Sequence, residues 1–187
     1  MISNKERVRK QLRENRSNLD AQEVAEKSII IQQFLIDLDE FQKAETIHCY
    51  SSITKFNEIE TNIIIDECLK SGKKLVMPVV APESNLLIHR RVNGSYSLVP
   101  NKWGVWEPVE GEEVNPTEID LVVVPMVGAD RQKNRMGYGK GYYDRFLGQT
   151  EAVKVGLVFE CCLIEWLPVE PHDILMDIII SEIGLIN

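Results

Sequence analysis

The stretch "IDLVVVPMV", Ile119 to Val127, sets four apolar residues in a row from Leu121 to Val124, three of them β-branched. A strand with one wet face alternates polar and apolar residues, whereas a strand covered on both faces is apolar nearly throughout. This run therefore predicts a strand deep inside a sheet that has helices on both sides. Runs of similar character stand to either side of it, at "ETIHCYSSI" (45–53), "KKLVMPVV" (73–80), "LLIHRRV" (86–92) and "AVKVGLVF" (152–159). Between the first two lies the helix-like "TNIIIDECLKSGK" (61–73), with Gly72 as its stop. Two further helical segments open the chain, "NKERVRKQLRENRSNL" and "DAQEVAEKSIIIQQFLIDL"; the second starts on Asp20 with Glu23 three places on, the pattern of a capping box. Strand, helix and strand in repeated order imply parallel pairing, so the expected fold is α/β: a three-layer αβα sandwich with a mostly parallel central sheet, Rossmann-like. With 187 residues, 44% of them hydrophobic, and neither an internal repeat nor a linker, the chain reads as a single domain, 1–187.

Ligands of such sheets collect at the carboxyl ends of the strands. Past the central strand comes "RMGYGKGYYDRFL", Arg135 to Leu147, with Gly137, Gly139 and Gly141 at alternate positions around Lys140, running into a helical "GYYDRFLGQ" that Gly148 ends. Glycine leaves no side chain to pack, so it is expected where the backbone takes an unusual dihedral or a ligand comes close. N–H groups at a helix start favour phosphate, and Lys140 adds a point charge. The loop lacks the four-residue gap and the Ser/Thr of a Walker A sequence, and also the spacing of GxGxxG. Asp144 either holds Mg²⁺ through an oxygen or pairs with Arg135 or Arg145. Lys5 and Arg9 are four apart, on one helix face that either closes over a polyphosphate or faces water.

Charge narrows the partners. The net charge of −8, from 21 basic and 29 acidic residues, excludes a general nucleic-acid or anionic-membrane surface. Residues 1–16 nevertheless hold six basic against two acidic side chains, +4, and residues 130–145 hold five against two, +3. Two basic segments in an acidic chain point to a local anion site or to two solvated faces. The absence of an apolar run of roughly 20 residues and the polar start "MISNKERVRK" lead us to expect a cytoplasmic protein without a membrane partner. A monomer is the expected state, on no feature of the sequence. Cys49, Cys68, Cys161 and Cys162 form no CxxC pair and are expected to be buried, inert thiols; His48, His89 and His172 stand singly and are expected to be packed rather than catalytic.

Over twenty consecutive positions, "VGADRQKNRMGYGKGYYDRFL" resembles the hallmark of the 5-formyltetrahydrofolate cyclo-ligase family, also called methenyltetrahydrofolate synthetases. Matches continue in order along the chain: "KERVR", "NEIET", "KKLVMPVV", "WGVWEP", "VKVGLVFE" and "LPVEPHD". The resemblance implies an ATP site made of Lys5, Arg9, Arg135, Met136, Gly137, Tyr138, Gly139, Lys140, Gly141, Tyr142 and Tyr143, with Lys140 and Arg135 as the catalytic groups and Asp144 near Mg²⁺. It implies a folate site at Ile53, Glu58, Trp103 and Trp106, and the ATP- and Mg²⁺-dependent closure of 5-formyltetrahydrofolate to 5,10-methenyltetrahydrofolate. Two positions depart from the family pattern. Asn57 and Lys133 stand where glycine is common, and both departures touch loops, so they bear on details of loop shape and affinity more than on the reaction. A dinucleotide-dependent oxidoreductase is disfavoured by the glycine spacing, and a catalytically silent sensor of phosphorylated metabolites would share the same sheet and loop.

Overall fold

The computed structural model describes residues 3–81, 84, 86–94, 96–102 and 104–186. Helices α1 (Asn4–Ser17), α2 (Ala21–Ile36) and α3 (Asp39–Lys43) precede strand β1 (Thr46–His48). After α4 (Asn62–Lys70) come β2 (Lys74–Val80), β3 (Leu87–Val92), β4 (Leu98–Pro100), β5 (Trp106–Pro108) and β6 (Glu112–Glu113). Then follow β7 (Leu121–Val124), β8 (Gly128–Asp130), β9 (Arg135–Met136), α5 (Tyr142–Leu147), β10 (Val153–Leu157), β11 (Leu163–Ile164), β12 (Ile178–Ser181) and β13 (Gly184–Leu185). Every strand and helix expected from the sequence is present. The predicted capping box at Asp20 and Glu23 is formed in both directions.

The main sheet has the order β13-β12-β10-β7-β1-β2-β3-β6. Its middle, from β12 to β2, is parallel throughout, while β13, β3 and β6 pair antiparallel at the edges. Strand β3 has to turn back because the connection 81–86 is too short for a crossover. Strand β12, formed by "IIIS" near the end of the chain, is an element that the sequence reading did not anticipate.

The apolar run at β7 has the cause that its composition predicts. Leu121 and Val123 pack with Ile31, Leu35, Phe41 and Ile64 on one face, whereas Val122 and Val124 pack with Leu12, Met136, Phe146 and Leu147 on the other. Two cores separated by one sheet make the three layers. From β1 the chain runs outward to β2 and β3, then returns to lay β7 on the other side of β1 and continues to β10 and β12. The strand order therefore reverses between β1 and β7, and a crevice is expected beyond their carboxyl ends.

Among the described residues only Asn57 (φ 50°) and Lys133 (φ 67°) take a left-handed backbone without being glycine. They are the two positions where the family pattern is broken. Both residues adopt the left-handed conformation that glycine takes without strain. Asn57 is held there by its own amide, which donates to the carbonyls of Leu19 (2.8 Å) and Arg16 (3.4 Å). Lys133 sits in the turn between β8 and β9 around the fully buried Asp130, whose carboxylate accepts from the N–H groups of Gln132 (3.0 Å), Asn134 (2.9 Å) and Leu167 (2.9 Å). Asn57→Ala is expected to lower stability by about 1–2 kcal/mol, through lost amide bonds and the left-handed strain of a Cβ without a polar tip. Asn57→Gly loses the bonds but not the dihedral, so it should cost less; equal losses in chemical denaturation would remove backbone strain from this explanation.

All four cysteines are unpaired. Cys161 is exposed, which corrects the expectation of four buried thiols, because the turn carrying it faces outward while Cys162 faces α1 and bonds the carbonyl of Leu12 (3.4 Å). No helix among the described residues is long and apolar enough to cross a membrane.

Candidate active site

A cleft of about 890 Å³ opens where the strand order reverses. Tyr50 and Ser51 beyond β1, Pro78 and Val80 of β2, and Pro125 beyond β7 line it from the sheet. Lys10, Arg13 and Arg16 line it from α1, and Arg135, the glycine loop and Tyr142 to Asp144 complete it. The loop does not leave the central strand directly, as its sequence position implied. The hairpin of β8 and β9, tied by Asp130, stands between them and carries the loop over the cleft.

The bare backbone of the loop is occupied by cations. A Cβ on Gly137 would lie 2.8 Å from Nη1 of Arg135, one on Gly139 (φ +88°) 3.1 Å from Cζ of Arg9, and one on Gly141 (φ +67°) 2.8 Å from Nη1 of Arg145. Three guanidinium groups from three different elements thus pack where side chains would otherwise be. Two also bond the loop: Arg9 Nε donates to the carbonyl of Gly137 (2.9 Å) and Arg145 to that of Lys140 (2.7 Å). Positive charge concentrated around exposed backbone favours an anion.

Arg135 is buried and ion-paired with Asp144, so the structural alternative weighed for this carboxylate is realised. The second oxygen of Asp144 makes no hydrogen bond among the described residues. Nε of Arg135 and the hydroxyl of Tyr143 are buried without a partner among those residues, though both side chains line the cleft. A buried donor left without an acceptor is costly, and a bound anion would satisfy it.

Opposite the loop, Glu58 is 5% exposed. Its Oε2 accepts from the backbone N–H of Ile53 (2.7 Å), and its Oε1 accepts from the hydroxyl of Tyr138 in the glycine loop. Burial raises the Glu58 carboxyl, against the bonds from Tyr138 and Ile53 and the charge of Arg16. Burial, with Glu58 beside it, pushes the Tyr138 phenol up as well, so its proton stays in place to donate. Arg16 Nη2 donates to the Tyr138 oxygen (2.8 Å) and Nη1 to the carbonyl of Met126 (3.1 Å).

The profile of the 5-formyltetrahydrofolate cyclo-ligase family matches residues 1–182. The chain belongs to this family. It is 31% identical to the 5-formyltetrahydrofolate cyclo-ligase of Haemophilus influenzae over 95% of the chain and 97% of that protein, and 31% identical to that of Mus musculus over 96% and 94%. The solved 5,10-methenyltetrahydrofolate synthetase of Aquifex aeolicus superposes with a TM-score of 0.86 at 34% identity, covering 97% of this chain and 91% of that one. The synthetase of Mycoplasma pneumoniae superposes at 0.77 with 26% identity, covering 96% and 99%.

Not every residue implied by the cyclo-ligase resemblance reaches the cleft. Ile53, Glu58, Arg135, Gly137, Tyr138, Gly139, Lys140, Gly141, Tyr142, Tyr143 and Asp144 line it together. Arg9 lies behind the loop rather than in the cleft, supporting Gly137 and Gly139. The side chain of Met136 is fully buried in the second core, so this position has only backbone to offer a ligand. Lys5 is turned away, its ammonium bonded to Asp173 (2.6 Å) and Glu170 (2.9 Å). With His172 those two carboxylates make the only group of three potential metal ligands among the described residues, and Lys5 already engages both acids. Trp106 is 48% exposed and outside the lining, because the alternation of strand β5 and its approach sends Val105 and Glu107 to the cleft instead. Trp103 falls outside the described residues.

Lys10, Arg13 and Arg16, which belong to the basic segment 1–16 read as a local anion site or a solvated face, extend the basic stripe of α1 into the cleft. The resemblance assigned only Lys5 and Arg9 of that segment to the nucleotide, although 9, 13 and 16 are spaced as one helix face.

Proposed function

We propose that the protein converts 5-formyltetrahydrofolate to 5,10-methenyltetrahydrofolate with consumption of ATP, releasing ADP and phosphate. The observation that carries this reading is the meeting of Glu58 and the cation-lined glycine loop in one cleft, large enough for a folate head beside a triphosphate, in a chain of this family. The amide-like formyl group is a poor electrophile. In the proposed reaction its oxygen attacks the γ-phosphoryl of ATP, ADP departs, N10 adds to the activated carbon and gives up its proton to solvent, and phosphate leaves with the former formyl oxygen. Phosphoryl transfer asks the protein for positioning and charge neutralisation. Lys140 and Arg135 neutralise charge on the transferred group, backbone N–H groups of 137–141 hold the phosphates, and Glu58 with the apolar side of Ile53 holds the folate.

Mg²⁺ fits this arrangement through Asp144, a half-buried carboxylate of the cleft with one oxygen unbonded among the described residues; the ion would neutralise phosphate charge beside it. Asp144→Asn is expected to raise the Mg²⁺ concentration needed for half-maximal rate, with part of the rate restored by more Mg²⁺. An unchanged requirement would make Asp144 solely the ion-pair partner of Arg135.

The functional reading is tested by mixing purified protein with 5-formyltetrahydrofolate, ATP and Mg²⁺ and following the absorbance of the methenyl product. Product that requires all three components supports it. Binding of both ligands without turnover would support the sensor instead.

A further inference from the structure

We propose that Tyr138 is a latch between the two halves of the cleft: its hydroxyl occupies Glu58, and a folate head displaces it to reach that carboxylate. The inference rests on the reading of the cleft given above. Glu58 is 5% exposed and both of its oxygens already have donors. With the carboxylate 5% exposed, these donors shield its remaining lone pairs, and a ligand gains them by taking the place of one donor. The Ile53 N–H belongs to the backbone that leads into the single turn Thr54–Phe56 and cannot leave without unmaking it. Tyr138 is a side chain set between Gly137 and Gly139 (φ +88°), where the backbone is least hindered from turning.

The other contacts of Tyr138 show what the latch fastens. Its hydroxyl accepts from Arg16 (2.8 Å), which the carbonyl of Met126 anchors (3.1 Å), and the guanidinium carbons of Arg13 and Arg16 lie 5.5 Å and 5.6 Å from its ring centroid. One side chain thus ties the glycine loop to α1 and to Glu58. Displacing it releases one tie of the loop that is proposed to receive ATP, while Arg9 still bonds the carbonyl of Gly137, Arg13 that of Tyr138 (3.3 Å) and Arg145 that of Lys140, so the folate and the nucleotide sites are linked through Tyr138. In the absence of nucleotide the latch competes with the folate and lowers its apparent affinity.

Tyr138→Phe keeps the ring and its cation contacts and removes the bond. Two measurements test the latch. In crystals of the parent protein grown with 5-formyltetrahydrofolate and no nucleotide, a donor of the folate should stand on Glu58 and the Tyr138 hydroxyl should have left it. Without nucleotide, 5-formyltetrahydrofolate should bind the variant at least about threefold more tightly, since nothing competes for Glu58. Folate seated in the cleft with Tyr138 still bonded to Glu58 overturns the latch, and so does weaker or equal folate binding by the variant, which would make Tyr138 a ligand contact or a bystander. A parent protein that binds no folate would defeat the functional reading itself, whereas folate bound with Tyr138 unmoved would defeat the latch alone.

Discussion

Replacing Lys140 by alanine is expected to lower turnover at least tenfold without loss of fold. The side chain is exposed at the cleft rim and its ammonium makes no ion pair among the described residues, so the ligand-free protein gives up little when it goes. The transition state gives up more. Removing one preorganised charge or donor aimed at a developing anion typically costs about 3 kcal/mol. Lys140→Arg keeps the charge in a different shape and should recover only part of the rate. A steady-state assay with the folate and ATP both saturating checks this, and near-normal turnover in the alanine variant would remove Lys140 from the phosphoryl step.

Arg135→Met has the largest expected effect on stability, about 3 kcal/mol, because it leaves the half-buried Asp144 carboxylate without its cation. It also opens the space against Gly137 and takes one of the three guanidinium groups from the loop. Turnover should fall with it. Adding Asp144→Asn removes the stranded charge, so the double variant is expected to regain a good part of the stability and none of the turnover. Denaturant unfolding of the single and double variants, beside their rates, separates the two roles. If the double variant is no more stable than Arg135→Met, the cost lies in packing and not in an unpaired charge.

How much of this was legible in the sequence follows from what each residue obeys. The β7 run could be read because burial on both faces is a local property of Leu121 to Val124, and the capping box because it spans only Asp20 to Glu23. Strand β12 was missed, although "IIIS" is as apolar as its neighbours. The loop Glu165–Asp177 before it carries no helix to announce a crossover. The glycine loop was legible as a loop that wanted something against its backbone. That the something includes Arg9, Arg135 and Arg145 depends on the hairpin held by Asp130, a contact that no spacing reveals.

Within the site, Glu58 was found through the family resemblance and not through its chemistry, since an isolated glutamate before a helix reads as a surface carboxylate. Its burial depends on Tyr138, which is 80 residues away in the chain. Lys5 lies outside the cleft for a related reason. Helical spacing put it with Arg9, and the side on which it lies was decided by Asp173 at the far end of the chain. Asn57 and Lys133 show the converse. Their departure from glycine left the loop shape in question, and the fold imposes the left-handed backbone at both, with Asn57 fastened through its own amide.

The central claim is that the formyl oxygen is phosphorylated in this cleft, and the fate of that one atom tests it most directly. Substrate labelled with oxygen-18 in the formyl group, under conditions where the label does not exchange with water, should transfer its label to inorganic phosphate. The account predicts one labelled oxygen in the phosphate for each methenyl group formed, alongside ADP. Unlabelled phosphate from substrate that has kept its label would contradict it, because ATP would then be split without ever joining the folate.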